Sequence, residues 1–333
     1  MSTLGADVDG EATRTAFSGV VRVDRHGVPE IEAAYGFADR RHGVAMTTEH
    51  QLGTASVTKG FTALTVLSLI ADGSLELTTT ARSVLGPDLP LVDDEVTLEQ
   101  LLSHRSGIGD YLDESTIVSS DDYLMPVPVH ELASSEDYLR VLVGHPTVSR
   151  PGVLFEYNNG AFVVLALLAE RVAGVPFHEL VAARVWDPAG MTRSAFLRSD
   201  ELPATAAVGY LHADDDRTNV LHLPVRGSGD GGAYTTVGDT SAFWAALLSG
   251  RIVPERWVDE MRTPRRAPEG GRLGYGLGLW LHATGVLELH GYDAGVSFRT
   301  MHDPATSSTW TVGSNQSEGT DPIEALLVAD LPS

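Results

Sequence analysis

The chain has 333 residues, 43% of them hydrophobic, a formal net charge of -22 and no cysteine. Length allows one large domain or two small ones, and the missing cysteine removes disulfides, thiolate nucleophiles and cysteine-based zinc or iron-sulfur sites. So acidic a chain repels nucleic acid and anionic membranes, and neither is an expected partner.

The N-terminal segment Met1 to Thr15 is acidic and polar. The longest apolar run, Ala161 to Ala169, falls well short of the roughly 20 residues of a membrane helix, so a cytoplasmic location is expected. Phe17 to Arg25 alternates apolar and polar residues, His26-Gly27 interrupts it and Ile31 to Phe37 resumes it, which predicts a hairpin. Helices are expected over Phe61 to Ala71 (closing at Gly73), Leu98 to Leu102, Glu136 to Leu142, Ala161 to Ala173 (closing at Gly174), His178 to Val185 and Asp239 to Leu248 (closing at Gly250). Strands follow over Leu273 to His282, Val286 to Gly291, Val296 to His302 and Ser308 to Gly313, with a last helix over Pro322 to Leu331. The expected fold is α/β of the α+β kind in a single domain. The N-terminal hairpin and C-terminal strands (about 15–60 and 255–333) form one antiparallel sheet, and the middle (about 61–254) is a mostly helical inserted lobe.

Acidic clusters at Asp93-Asp94-Glu95, Asp121-Asp122 and Asp214-Asp215-Asp216 read as solvated loops. His212 beside the last is a weak metal signal without an HExxH or EF-hand pattern, and no metal or other cofactor is expected.

Of the 23 basic residues only one, Lys59, is lysine. Wherever a fixed positive charge suffices, this chain uses arginine, so Lys59 raises the question of what a guanidinium cannot do: give up its proton. Lys59 lies three residues after Ser56 in Ser56-Val57-Thr58-Lys59, just before a predicted helix. That spacing puts both side chains on one face, and a serine at a helix start has its backbone amide free to stabilise an oxyanion. A serine would stand there by accident in roughly one case in fifteen. Further along, Tyr157-Asn158-Asn159 follows the turn Arg150-Pro151-Gly152, placing a phenol and an amide two residues apart before a helix.

Together these motifs resemble the superfamily of serine beta-lactamases, penicillin-binding proteins and family VIII esterases, which carries SxxK, then YxN, then a strand motif of the KTG or HxG kind. Tyr35-Gly36-Phe37-Ala38-Asp39, Leu101 to Gly107, Gly231-Gly232-Ala233-Tyr234-Thr235-Thr236 and Tyr275-Gly276-Leu277-Gly278 look like family landmarks across nearly the whole chain. The third motif departs from the pattern, because Lys59 is the sole lysine. The candidate is Leu289-His290-Gly291-Tyr292-Asp293-Ala294-Gly295. The favoured register makes Gly291 the motif glycine, puts Leu289 at the Lys or His position and leaves His290 as a substrate-facing candidate; a shift by one residue would read His290-Gly291-Tyr292 as HxG-like.

The resemblance implies an acyl-enzyme on Ser56, with Lys59 and Tyr157 sharing the proton transfer and either of them the base. It implies Asn159, His290 and Gly291 as substrate-binding residues, and the amides of Ser56 and Tyr292 as the oxyanion hole. The activity implied is that of an esterase or a D-amino-acid-type peptidase or amidase on a small ester, an amide or a short peptide; loss of the third-motif lysine makes beta-lactamase activity weak at best and favours esters or the N-terminal side of peptides. An acyltransferase and a non-catalytic acyl sensor remain open alternatives, as does the oligomeric state.

Overall fold

The computed structural model describes residues 3–112, 119, 124–267, 269 and 273–332; the acidic pair Asp121-Asp122 lies outside them. Seven strands form the main sheet: β1 (Gly19–Arg25), β2 (Val28–Tyr35), β3 (Gly274–Tyr275), β4 (Trp280–Leu281), β5 (Leu287–Asp293), β6 (Val296–Asp303) and β7 (Ser308–Ser314). Their order is β2-β1-β7-β6-β5-β4-β3, and every neighbouring pair is antiparallel. The predicted hairpin is β1–β2, and β1 closes on the last strand with Val21 opposite Val312. The two ends of the sequence therefore build one sheet, whose central strands β1 and β7 are buried along nearly their whole length because helices cover both faces.

One face of the sheet carries α1 (Thr3–Thr15) and the last helix, which pack Val8, Ala12, Ile323 and Leu327 onto Val21, Val23, Trp310 and Val312. The other face carries the inserted helical segments. Among them α2 (Thr58–Ala71) is buried from Thr58 through Ile70, as a helix apolar all round must be. It is flanked by α3 (Leu98–Leu102), α4 (Asn159–Ala173) and α5 (Val237–Leu248), whose Leu101, Phe162 and Phe243 join its core. The last helix, α6 (Asp321–Ala329), ends the series. No single helix among the described residues is long and apolar enough to cross a membrane.

Three segments differ from expectation. The polar N-terminus is helical, because two inward residues per stretch, Val8 and Ala12, are enough once α6 supplies a partner. Leu273 to His282 is two short strands, since the chain reverses where the Gly276 amide donates to Leu279 O. Glu136 to Leu142 begins as a 3-10 turn over Ser135–Tyr138, and the helix from Phe177 widens to a π-helical turn over Ala182–Trp186.

Candidate active site

The Ser56 region is set by short-range hydrogen bonds. A 3-10 turn, Ala55–Val57, leads straight into α2. Thr58 Oγ1 donates to Ala55 O at 2.8 Å and accepts from the Ala233 amide at 3.1 Å, while Thr54 Oγ1 donates to Ala233 O at 2.9 Å. Ala55 is held at φ 44°, a left-handed conformation that costs a non-glycine residue of order 1 kcal/mol and clusters at functional sites.

Lys59, 3% exposed, extends from the first turn of α2. Its Nζ lies 2.8 Å from Ser56 Oγ, 2.8 Å from Asn159 Oδ1 and 2.7 Å from Asp230 O. An unpaired ammonium at this depth would cost several kcal/mol, and three acceptors, each worth roughly 1.5–3 kcal/mol to a charged donor, offset it. The same geometry suits the neutral amine, whose two protons would stay on Asn159 and Asp230 while the lone pair faces the Ser56 hydroxyl. The structure thus brings together Ser56, Lys59 and Asn159, with Asn159 engaged by the lysine.

Tyr157 stands beside this cluster with its ring centroid 4.9 Å from Lys59 Nζ. Trp280 of β4 stacks on Tyr157 at 6.1 Å and 16°, and His290 stacks on Trp280 at 5.2 Å and 13°. Behind Tyr157 lies His104, 1% exposed and 4.5 Å from it centroid to centroid, whose Nδ1 accepts from the Asn158 amide at 3.1 Å. Burial and then the Lys59 charge push the His104 imidazole well below its usual range, so it is neutral.

β5 supplies the other wall. A Cβ built on Gly291 would fall 2.3 Å from Ser56 N and 2.6 Å from Thr54 O, so only glycine lets the strand approach this closely. A Cβ on Gly60, next to Lys59, would meet Leu289 at 2.7 Å. Leu289 is therefore packed on α2 where a family lysine would stand, and the register with Gly291 as motif glycine fits this geometry. Side chains alternate along a strand, so Leu289, Gly291 and Asp293 face Ser56 while His290 and Tyr292 face away.

His290 accordingly reaches the site only through its stack on Trp280. Its Nδ1 is held 2.5 Å from the fully buried Glu288, which also takes His282 Nε2 and Arg299 at 2.7 Å each. His282, His290 and Arg299 together hold the Glu288 carboxyl far below its usual range despite burial. The Tyr292 hydroxyl donates to Glu324 of α6 at 2.5 Å.

The Tyr292 amide has a different orientation from its side chain. Asp293 pairs with Val296 across a two-residue turn, which makes that pair hydrogen-bonded and the next, Tyr292 with Ser297, non-hydrogen-bonded. Its N–H therefore points to the opposite edge of β5, where β4 pairs only with Leu287 and Glu288. Beyond Glu288 that edge offers backbone donors and acceptors beside Ser56.

Three carboxylates that the motifs do not announce also converge here. Asp230 lies in the glycine-rich loop after Arg226; its carbonyl holds Lys59 and its carboxylate accepts from the Tyr111 hydroxyl at 2.5 Å. Asp293 and Asp230 line one cavity with Tyr111 and Gly231. Asp110 accepts from the amides of Asn159 at 2.7 Å and Gly160 at 2.9 Å, and burial raises its carboxyl to about 6 against those bonds. The one sequence signal was glycine density around Asp230. At the other expected cluster, Arg40 donates to the carbonyls of His212 and Ala213, and among the described residues no three His, Asp or Glu side chains are placed to hold a metal ion.

With that geometry in hand, likeness to known proteins becomes informative. A putative penicillin-binding protein, PbpX, of Bacillus subtilis is 26% identical over 83% of this chain and 64% of its own length. A D-aminopeptidase of Brucella anthropi is 29% identical over 82% of this chain and 51% of its own length, so the chain spans between about half and two thirds of these curated relatives. The crystal structure of a penicillin-binding protein from Bacillus halodurans is 33% identical, with a TM-score of 0.90 over 97% of this chain and 100% of that one. A D-amino acid amidase of Ochrobactrum anthropi, 24% identical over 98% of this chain and 97% of its own, shares the fold at a TM-score of 0.78. The family model described as beta-lactamase matches residues 7–331, nearly every residue that builds the sheet, the helical lobe and the cleft between them, and the chain belongs to the beta-lactamase family.

Proposed function

We propose that this single-domain chain is a serine hydrolase that forms an acyl-enzyme on Ser56 and acts on amides or esters whose acyl part carries a free ammonium group. The observation that carries this reading is Lys59 Nζ at 2.8 Å from Ser56 Oγ in a buried setting, beneath the amides of Ser56 and Tyr292. Ser56 Oγ attacks the carbonyl carbon and its proton passes to the Lys59–Tyr157 pair; the carbonyl oxygen takes the negative charge between the two amides. When the tetrahedral adduct collapses, that proton goes to the departing amine or alcohol. Water then attacks the Ser56 ester, the same pair takes its proton, and the free acid leaves.

The ammonium preference rests on the charge around the cleft. Leu289 supplies no cation for a substrate carboxylate, and Asp293 faces the Ser56 side of β5. Asp230 and Asp293 line a cavity with Tyr111 and Gly231 next to the Ala55–Val57 turn, an acidic basin beside Ser56. Such a basin concentrates cations and repels carboxylates. The D-aminopeptidase relatives support the same direction.

A fluorophosphonate probe should label Ser56 and abolish turnover of p-nitrophenyl acetate, with the adduct located by mass spectrometry. Continued turnover beyond one equivalent separates a hydrolase from an acyl sensor. Phenylalanine p-nitroanilides of both hands should be cleaved faster than their N-acetyl derivatives, and benzylpenicillin should turn over far more slowly than a good ester. An adduct on another serine, or equal kcat/KM for penicillin and ester, would contradict the assignment. Asp293→Asn should raise KM for the free-amine substrate about 10-fold, the loss of one charge-assisted hydrogen bond, and leave the N-acetyl substrate unaffected; a parallel change in both would remove Asp293 from substrate recognition.

A further inference from the structure

We propose that Asp110 is a positioning residue of this site: by accepting the amide protons of Asn159 and Gly160 it fixes where Asn159 Oδ1 meets Lys59. The inference rests on the acyl-enzyme reading of Ser56 and extends it to a residue that touches none of the reacting atoms.

Asn159 is the first residue of α4, and two side chains compete to satisfy the opening amides of that helix. Asn158 Oδ1 takes the Ala161 amide at 2.7 Å, an ordinary helix cap. Asp110 comes from a different segment and takes the two amides before it, Asn159 N and Gly160 N. Its Oδ1 also accepts from the Leu112 amide at 3.2 Å, and Leu112 O lies 3.4 Å from Asn159 Nδ2. The 110–112 segment therefore grips Asn159 at its backbone and at its side-chain nitrogen, leaving Oδ1 directed at Lys59, 2.8 Å away. One buried carboxylate in place of one more ordinary cap is what orientation needs: two amides on one residue's two oxygens define a plane, where a single bond leaves a rotation.

The titratable groups packed around Asp110 are Asp230 of the glycine-rich loop, which repels its charge, Lys59 of α2 beyond Asn159, and Tyr111 and His104 of its own segment, with His145 against the backbone at Gly109. Burial is the largest influence and raises the folded carboxyl to about 6. The folded state then binds this proton before the unfolded one does. Through Asp110 alone, stability rises as pH falls from about 7 toward 4. Protonation also weakens the acceptor on which Asn159 depends, so turnover falls over the same interval. Opposite signs for stability and activity set a positioning role apart from a purely structural one.

The test uses the full chain and Asp110→Asn, which keeps one acceptor oxygen but turns an NH2 toward the second amide. In the wild type, phosphonate labelling at Ser56 and ester turnover are measured first. Near neutral pH the variant should show kcat reduced about 10- to 100-fold with KM within about threefold. The wild-type acid limb near pH 6 should be missing from its profile. The melting temperature of the wild type relative to the variant should climb as pH is lowered from neutral to mildly acid. A labelled, active wild type matched by Asp110→Asn in kcat and acid limb overturns this inference alone, as does a variant whose loss is all in KM. A wild type neither labelled at Ser56 nor active overturns the acyl-enzyme reading and this one with it.

Discussion

Lys59→Arg is expected to fold normally and to hydrolyse esters about 10³-fold or more slowly than the wild type, the scale on which an essential member of a nucleophile-activating set is lost. Charge is preserved in that exchange, so a lysine acting only as a cation would survive it within a small factor. Two features of the site argue otherwise. Lys59 Nζ meets Ser56 Oγ, Asn159 Oδ1 and Asp230 O within 2.7–2.8 Å, an arrangement around one nitrogen that a planar guanidinium cannot reproduce. A guanidinium also keeps its proton, with a pKa above about 12, and cannot take the one leaving Ser56. Steady-state ester hydrolysis reads the effect. Circular dichroism and a thermal melt check that the larger head group, in a position only 3% exposed, has not simply unfolded the chain. Turnover near the wild-type rate in a folded variant would return Lys59 to the status of an ordinary cation in a chain that otherwise uses arginine.

What could be read from the sequence follows how local each feature is. Ser56 and Lys59 are three residues apart, so the contact between them is written in one turn of chain. The strands of β5 to β7 carried enough β-branched and aromatic residues to be placed within two or three positions, and pairing them with the N-terminal hairpin was the simplest architecture. The role of Asp110 has no such signature: it depends on a hydrogen bond spanning 49 residues, and that of Asp230 on one spanning 171. A carboxylate in a polar loop looks solvated until the fold shows what it faces. His290 is a second case that the sequence leaves undecided. Its neighbour Gly291 faces Ser56 so closely that the histidine must face the other side, where Glu288 holds it; a one-residue offset decides whether a side chain meets the substrate or the buried carboxylate behind the sheet. The helix α1 escaped detection because its inward residues, Val8 and Ala12, are too few to register as a period without α6 to receive them.

Gly291→Ala should reduce kcat by about 10²- to 10³-fold, the worth of one oxyanion donor. The added methyl would lie 2.3 Å from Ser56 N, 2.6 Å from Thr54 O and 2.9 Å from Ala55 Cβ. Two of those atoms belong to the backbone, and the third to a residue already held at φ 44°. No side-chain rotation can relieve the clash, so β5 must move away from the Ala55–Val57 turn or the turn must move away from β5. Either shift separates the Ser56 amide from the Tyr292 amide, and with them the two donors that would share a tetrahedral oxygen. Overpacking of this kind also destabilises by about 1–3 kcal/mol, so the assay must sit well below the variant's melting temperature. The phosphonate labelling rate provides the internal check, because the phosphoryl oxygen needs the same two donors as the substrate carbonyl. If oxyanion stabilisation is the cause, labelling and turnover fall together while Lys59 and Asn159, which approach Ser56 from the helical side, are undisturbed. A folded variant that keeps its turnover within about threefold would show that the tetrahedral oxygen is not held between β5 and Ser56.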